Sequence, residues 1–158
     1  MTLDELRKFG AGPEETPAAM RQPWTRGGYT WASDGCIIVR VPTIDSIPDN
    51  ANAPDATRLF SAKRAKKWMP VPAMAMPPDI PCKWCDGTGK ESWDRRYKCE
   101  YCGGAKMLPD RSGIPLGGTA FAKRYLAVIQ GWEIAPNGQK AAWIRHDDAL
   151  GLLMPMRM

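Results

Sequence analysis

The chain has 158 residues, 44% of them hydrophobic and 25% charged, and carries a formal net charge of +5. That length supports one domain with a sizeable core, or one domain plus a small insert, and no apolar run approaches the roughly 18 residues of a membrane span. The start, Met1-Thr2-Leu3-Asp4-Glu5-Leu6, is acidic and amphipathic, which excludes a secretory signal there.

Residues 2–9 read as a short helix, with Thr2 as N-cap, Glu5 completing a capping box, and Gly10 and Gly12 ending it. Residues 11–23 hold three prolines and form a connector. Residues 27–32 and 36–41 have strand composition and flank the turn Ser33-Asp34-Gly35. Within the second strand, Cys36 reads as a small buried apolar residue in preference to a reactive thiol. A proline- and aspartate-rich loop follows over 42–54. Residues 56–69 are good helix formers, with Leu59, Ala62, Ala65, Trp68 and Met69 on one side and Lys63 and Lys67 on another, and Pro70 stops the helix.

That same stretch concentrates the charge. Arg58, Lys63, Arg64, Lys66 and Lys67 occur without an acidic neighbour, while in the rest of the chain 17 basic residues balance 17 acidic ones. The positive field is therefore one local patch. Such a patch attracts phosphate backbones, or it is simply the solvated face of a helix.

Further prolines lead to four cysteines in two matched pairs, Cys82-Lys83-Trp84-Cys85 and Cys99-Glu100-Tyr101-Cys102. A two-residue gap lets both sulfurs of a pair reach one ion, and the second pair completes the thiolate tetrahedron of a closed structural Zn²⁺ site. One zinc ion per chain is expected, in a hairpin over 81–107. Two disulfides, or four idle thiols, are the alternatives, and such tight double pairing rarely arises by accident. Paired thiolates also suit a reducing compartment, which points to the cytoplasm.

Beyond the hairpin, residues 119–131 are predicted as a helix, with Phe121, Tyr125, Val128 and Ile129 as an apolar stripe. Strands are expected over 132–134 and 141–144, joined by the turn Pro136-Asn137-Gly138, and again over 150–154. With the hairpin set aside, helix-then-strands occurs twice, which suggests an internal duplication. Core positions are assigned to Leu3, Leu6, Phe121, Tyr125, Ile129 and Ile144.

No catalytic constellation emerges, so a non-enzyme is expected. His146, the sole histidine, precedes the exposed acidic turn Asp147-Asp148 and has no nucleophile arranged around it. Four thiolates saturate zinc and leave no position for a water. Gly117-Gly118 and Gly103-Gly104 lack the phosphate-cradling pattern.

Two resemblances extend this reading. Cys85 is followed by Asp86-Gly87-Thr88-Gly89, so the first pair resembles the zinc-binding repeat of DnaJ-type co-chaperones. The second pair, followed by Gly103-Gly104-Ala105-Lys106, keeps one glycine and has Lys106 where the other would stand. Elsewhere, Gly151-Leu152-Leu153-Met154-Pro155-Met156-Arg157-Met158, Phe121-Ala122-Lys123-Arg124-Tyr125-Leu126 and Trp31-Ala32-Ser33-Asp34-Gly35-Cys36 resemble segments of the bacterial DNA polymerase III β sliding clamp, in the same order.

The clamp resemblance implies an α+β, DNA-clamp-like domain over 1–80 and 108–158, with two helices on antiparallel sheet related by an internal pseudo-two-fold. Residues 81–107 would be the inserted zinc hairpin. It also implies a phage-type replication accessory protein, with double-stranded DNA meeting Arg58, Lys63, Arg64, Lys66, Lys67, Lys123 and Arg124. Met154, Pro155 and Met156 would line a pocket for a replication protein or its peptide. A clamp subunit has three such domains and this chain has room for one, so a ring would require a homo-oligomer. The alternative is a zinc-stabilised interaction module that holds a replication partner without contacting DNA. Direct nucleic-acid binding by the hairpin, through Trp93, Arg95, Arg96, Tyr97 and Lys98, is disfavoured because residues 82–102 carry five basic and four acidic residues.

Overall fold

The computed structural model describes residues 1–11, 20–61 and 67–156, and shows an α+β protein with few helices on a mostly antiparallel sheet. Helix α1 (Leu3–Arg7) opens the chain. Its capping box is formed: the Glu5 N–H donates to Thr2 Oγ1 at 3.3 Å and the Thr2 N–H donates to Glu5 Oε2 at 2.7 Å. These donors, the Thr2 backbone first, hold the Glu5 carboxyl below its ordinary range.

Strands β1 (Trp24–Arg26), β2 (Tyr29–Ser33) and β3 (Ile37–Pro42) form an antiparallel meander. The pair Gly27-Gly28 is the tight turn between β1 and β2, with φ of +63° and +79°; both residues were expected inside a strand. A two-residue turn of this hand needs positive φ at both centres, which glycine supplies without strain. The expected turn before β3 is present. Asp34 Oδ1 accepts from the N–H groups of Cys36 and Ile37 at 2.8 and 3.0 Å. Cys36 is consequently exposed in the turn, not buried in the strand.

The basic stretch departs from expectation where it is described. Thr57–Phe60 is a single 3-10 turn, and Met69–Pro70 is a short strand, β4. Residues 62–66 lie outside the described residues. Leu59 is 56% exposed, and Phe60 reaches the sheet in its place, edge-on to Trp31 at 5.3 Å and to Trp143 at 5.5 Å. The tighter winding of the 3-10 turn changes which side chain faces inward.

Strands β5 (Ile80–Pro81) and β6 (Met107–Leu108) pair antiparallel, so the cysteine segment leaves and returns at adjacent points. A further hairpin, β7 (Gly113–Leu116) and β8 (Thr119–Ala122), turns at Gly117-Gly118 with φ of +57° and +82°. It takes the first four residues of the expected 119–131 helix. Phe121 thus reaches the core from a strand, and helix α2 is only Lys123–Val128. Then come β9 (Glu133–Asn137), β10 (Lys140–His146) and β11 (Ala149–Leu153), close to expectation.

The main sheet runs β1-β2-β3-β11-β10-β9-β4. A helix followed by a three-strand meander occurs on each side of the β3–β11 seam. One sheet face carries Val39, Val41, Ile134, Ile144 and Leu153, and both helices cover it with Leu6, Phe9, Leu126 and Ile129. The other carries Trp31, Trp143 and Leu152, covered by the loop that ends in Phe60. Leu3 and Tyr125, expected in the core, are only partly buried, because each lies on the rim of its short helix.

Gly151 faces Ile144 and Val39 across two strand pairs, and a Cβ there would sit 2.6 Å from the Ile38 carbonyl oxygen. Gly151→Ala should therefore destabilise the body by about 1–3 kcal/mol through overpacking. A denaturant midpoint lowered at constant slope is the expected reading.

Candidate metal centre and adjoining cleft

The four cysteines of the two pairs converge into one buried cluster, with their sulfurs within 4.8 Å of one another. Cys82 and Cys99 Sγ are 4.0 Å apart, and Cys85 and Cys102 Sγ are 3.8 Å apart. A tetrahedral ion with metal–sulfur bonds of about 2.3 Å requires sulfurs about 3.8 Å apart. A disulfide needs about 2.05 Å, so the cluster fits an ion and not two disulfides. Such a thiolate set can hold a metal such as zinc.

The backbone explains how residues 82–106 build this site. After Cys85, φ is positive at Asp86 (+48°), Gly87 (+71°) and Gly89 (+75°); after Cys102 it is positive at Gly103 (+59°), Gly104 (+89°) and Lys106 (+70°). The two halves thus repeat one conformation, although one half has lysine where the other has glycine. They also exchange equivalent hydrogen bonds. The Cys82 N–H donates to the Lys106 carbonyl at 2.8 Å, and the Cys99 N–H donates to the Gly89 carbonyl at 3.0 Å. Trp84 and Tyr101, the matching residues of the two pairs, stack at 4.1 Å with 7° between their planes. The repeated cysteine-x-aromatic-cysteine pattern was the sequence signal for that stack.

Burial pushes the Cys85 thiol up, but the Gly89 N–H donated to its sulfur at 3.3 Å, together with the neighbouring thiols, outweighs this and holds it at about 7. At Cys99 the Cys102 N–H acts downward, yet burial and the adjacent sulfurs raise the thiol to about 11. One thiolate forms readily and opposes the next. A cation relieves that repulsion, and its binding must displace protons.

Beside this centre lies a cleft of about 600 Å³. Met154, Pro155 and Met156 line it from the body, with Tyr125 and Arg124 of α2. The terminal segment is fixed by the Met154 N–H donating to the Cys36 carbonyl at 2.8 Å and the Met156 N–H donating to the Ala120 carbonyl at 2.9 Å. Tyr125 donates its hydroxyl proton to Asp34 Oδ2 at 2.6 Å and accepts from Arg124 Nη2 at 2.8 Å. Burial first, then Asp34, keeps that phenol protonated far above its ordinary value. Sequence reasoning missed this Asp34–Tyr125–Arg124 chain, since 91 residues separate Asp34 from Tyr125.

Of the residues expected to meet DNA, the four that are described fall on two faces of the sheet. Arg58 and Lys67 are exposed and belong to the segment that covers the tryptophan face. Lys123 and Arg124 open α2, on the opposite face, and Lys63, Arg64 and Lys66 lie outside the described residues. On the hairpin, Trp93 and Tyr97 stack at 5.2 Å and are exposed, while Arg96 is paired with Asp94 at 2.8 Å. His146 is exposed and stacks on Trp132 at 5.5 Å. Among the described residues, no helix is long and apolar enough to cross a membrane. No protein family, curated protein or solved structure matches this chain.

Two outcomes follow from the geometry of the centre. Protons compete with the ion for all four sulfurs, so acidification below neutrality should release a bound metal, and raising the pH should tighten it; a chromogenic chelator reads both. Gly89→Ala places a side chain at positive φ with its Cβ 2.7 Å from the Gly104 carbonyl oxygen. It should cost about 1–2 kcal/mol from conformation alone, whereas Lys106→Gly should tighten metal retention in the same competition assay.

Proposed function

We propose that this chain is a non-enzymatic, zinc-stabilised interaction module of clamp-like architecture, which holds a peptide segment of a partner protein in the cleft beside its metal centre. The observation that carries this is the position of Met154, Pro155 and Met156. They form a wall of a cleft whose volume, about 600 Å³, falls in the range of about 300–1,000 Å³ used for specific ligands. Methionine is unbranched and polarizable, so such a wall adapts to apolar side chains. Zinc is the ion of choice for four thiolates at tetrahedral spacing, and a closed site of this kind supplies stability, not catalysis. The clamp resemblance makes a replication protein the partner class, and residues 81–107 a separate zinc insert in a body made of 1–80 and 108–158. The cytoplasm of a host cell suits such a phage-type protein.

Peptides recovered from a random display library against the zinc-loaded chain test this reading. They should bind in fluorescence anisotropy and lose at least tenfold in affinity to Met154→Asp. Recovery of no binder, or binders indifferent to Met154→Asp and Met156→Asp, would overturn it. Elemental analysis should return one zinc per chain, and Cys85→Ser should lose the ion while the thermal transition of the body persists.

A second reading, contact with duplex DNA, is favoured by one feature: the repeat of helix and three-strand meander about the β3–β11 seam, the pattern a duplicated clamp domain would have. Lys123 and Arg124 would then meet phosphates without reading bases. Each phosphate neutralised steepens the logarithmic salt dependence by about 0.9, so Lys123→Glu should flatten the slope by about that amount. Absence of duplex binding at low salt would remove this reading and leave the first intact.

A further inference from the structure

We infer that the metal centre forms one wall of the peptide cleft, so that metal occupancy switches partner binding on, and that the segment bound is apolar with a carboxylate. This inference rests on the reading of the cleft as a partner site.

The cleft has two sides of independent origin. Tyr101, Cys102, Ala105 and Met107 line it from the cysteine module, and Met154, Pro155 and Met156 line it from the body. The module side hangs on a metal ligand. Ala105 donates its N–H to the Cys102 carbonyl at 2.8 Å, and Met107 donates its own to the Ala105 carbonyl at 2.8 Å. Apart from the four cysteines, only Leu108 among the described hydrophobic residues packs against the module's buried cluster. With so little apolar surface, the module has little to hold its shape once the thiolates are uncoordinated, since metal binding and folding are one equilibrium in such small units. The body side does not share that dependence. Its main-chain bonds run to Cys36 and Ala120, and its core is the separate cluster around Val39, Phe121 and Ile144. Loss of the ion therefore removes one wall and leaves the other standing.

The charges on the cleft name the ligand's chemistry. Arg111, which is exposed, and Arg124 line it, against a single lining acid, Asp110. The carboxylate of Asp110 already accepts the Ser112 N–H at 2.8 Å and the Ser112 hydroxyl at 2.7 Å, and Lys123 lies close enough to help hold that acid below its ordinary range. The cationic excess is small, which matches one or two carboxylates between apolar side chains. A nucleic-acid strand would require a longer cationic track than two arginines among methionines and prolines.

The test uses the full chain and the display-selected peptides, labelled with fluorescein. Removal of metal with a chelator should weaken binding at least tenfold, and re-addition of Zn²⁺ should restore it, with the thermal transition of the body retained throughout. Met107→Asp, made in the metal-loaded chain, should weaken binding at least tenfold without metal loss, which keeps the test decisive even if the body does not tolerate chelation. Arg111→Glu should favour peptides whose acids are changed to lysine. Unchanged affinity after chelation, or with Met107→Asp, overturns the metal-gated wall while loss with Met154→Asp keeps the cleft reading. Indifference to Met154→Asp as well would sink both. Arg111→Glu without effect on peptide charge preference would remove the carboxylate from the proposal.

Discussion

The pairing of β3 with β11 is the constraint on which the rest of the molecule depends. It joins two meanders whose partnered residues lie 110 positions apart at Arg40 and Leu150 and 116 apart at Ile37 and Leu153. Without it neither meander has a complete apolar face to present to the helices. The seam also fixes where the chain goes next. Leaving β11, Met154 bonds to Cys36 in the turn before β3, and Met156 reaches Ala120 on β8. Residues 154–156 are thus laid against the turn before β3 and against β8, where they form one side of the cleft.

The sheet is covered on both faces by unequal means. Short helices with a few large side chains, Leu6, Leu126 and Ile129, close one face. The other relies on aromatic edges, with Phe60 set between Trp31 and Trp143 and Arg40 placed over the Tyr29 ring at 4.2 Å and the Phe60 ring at 4.5 Å. Edge-to-face contacts and a cation over the rings contribute beyond the area they bury. Four of the seven tryptophans, Trp24, Trp31, Trp68 and Trp143, lie on or against that face.

The metal module follows a different principle. It has almost no apolar interior, and its order comes from thiolates plus a backbone bent at positive φ six times within residues 86–106. Because its two halves exchange the same hydrogen bonds, each cysteine pair is held by the other half's turn. Apart from coordination, such a unit has little to hold its shape.

The cysteine spacing announced the four-sulfur cluster, since two-residue gaps bring the sulfurs of a pair together, and Asp86 to Gly89 announced the turn chemistry. Local rules also located α1, with Thr2 and Glu5 in reciprocal bonds, and the strands β3, β10 and β11, whose apolar residues alternate or run together. Local rules failed where a partner strand decided the outcome. Residues 119–122 have helical spacing, yet the Gly117-Gly118 turn offers them a ladder with β7, and Phe121 reaches the core from it. Trp24 to Arg26 became a strand only because Gly27 and Gly28 return the chain. Leu59 and Phe60 could not be ranked for burial before the winding of their turn and the aromatic socket of Trp31 and Trp143 were known. Of the cleft, only the Met154–Met156 side was legible in the sequence, through a resemblance; Tyr101, Arg111 and Tyr125 share no local pattern with it, and only the tertiary structure brings them to one place.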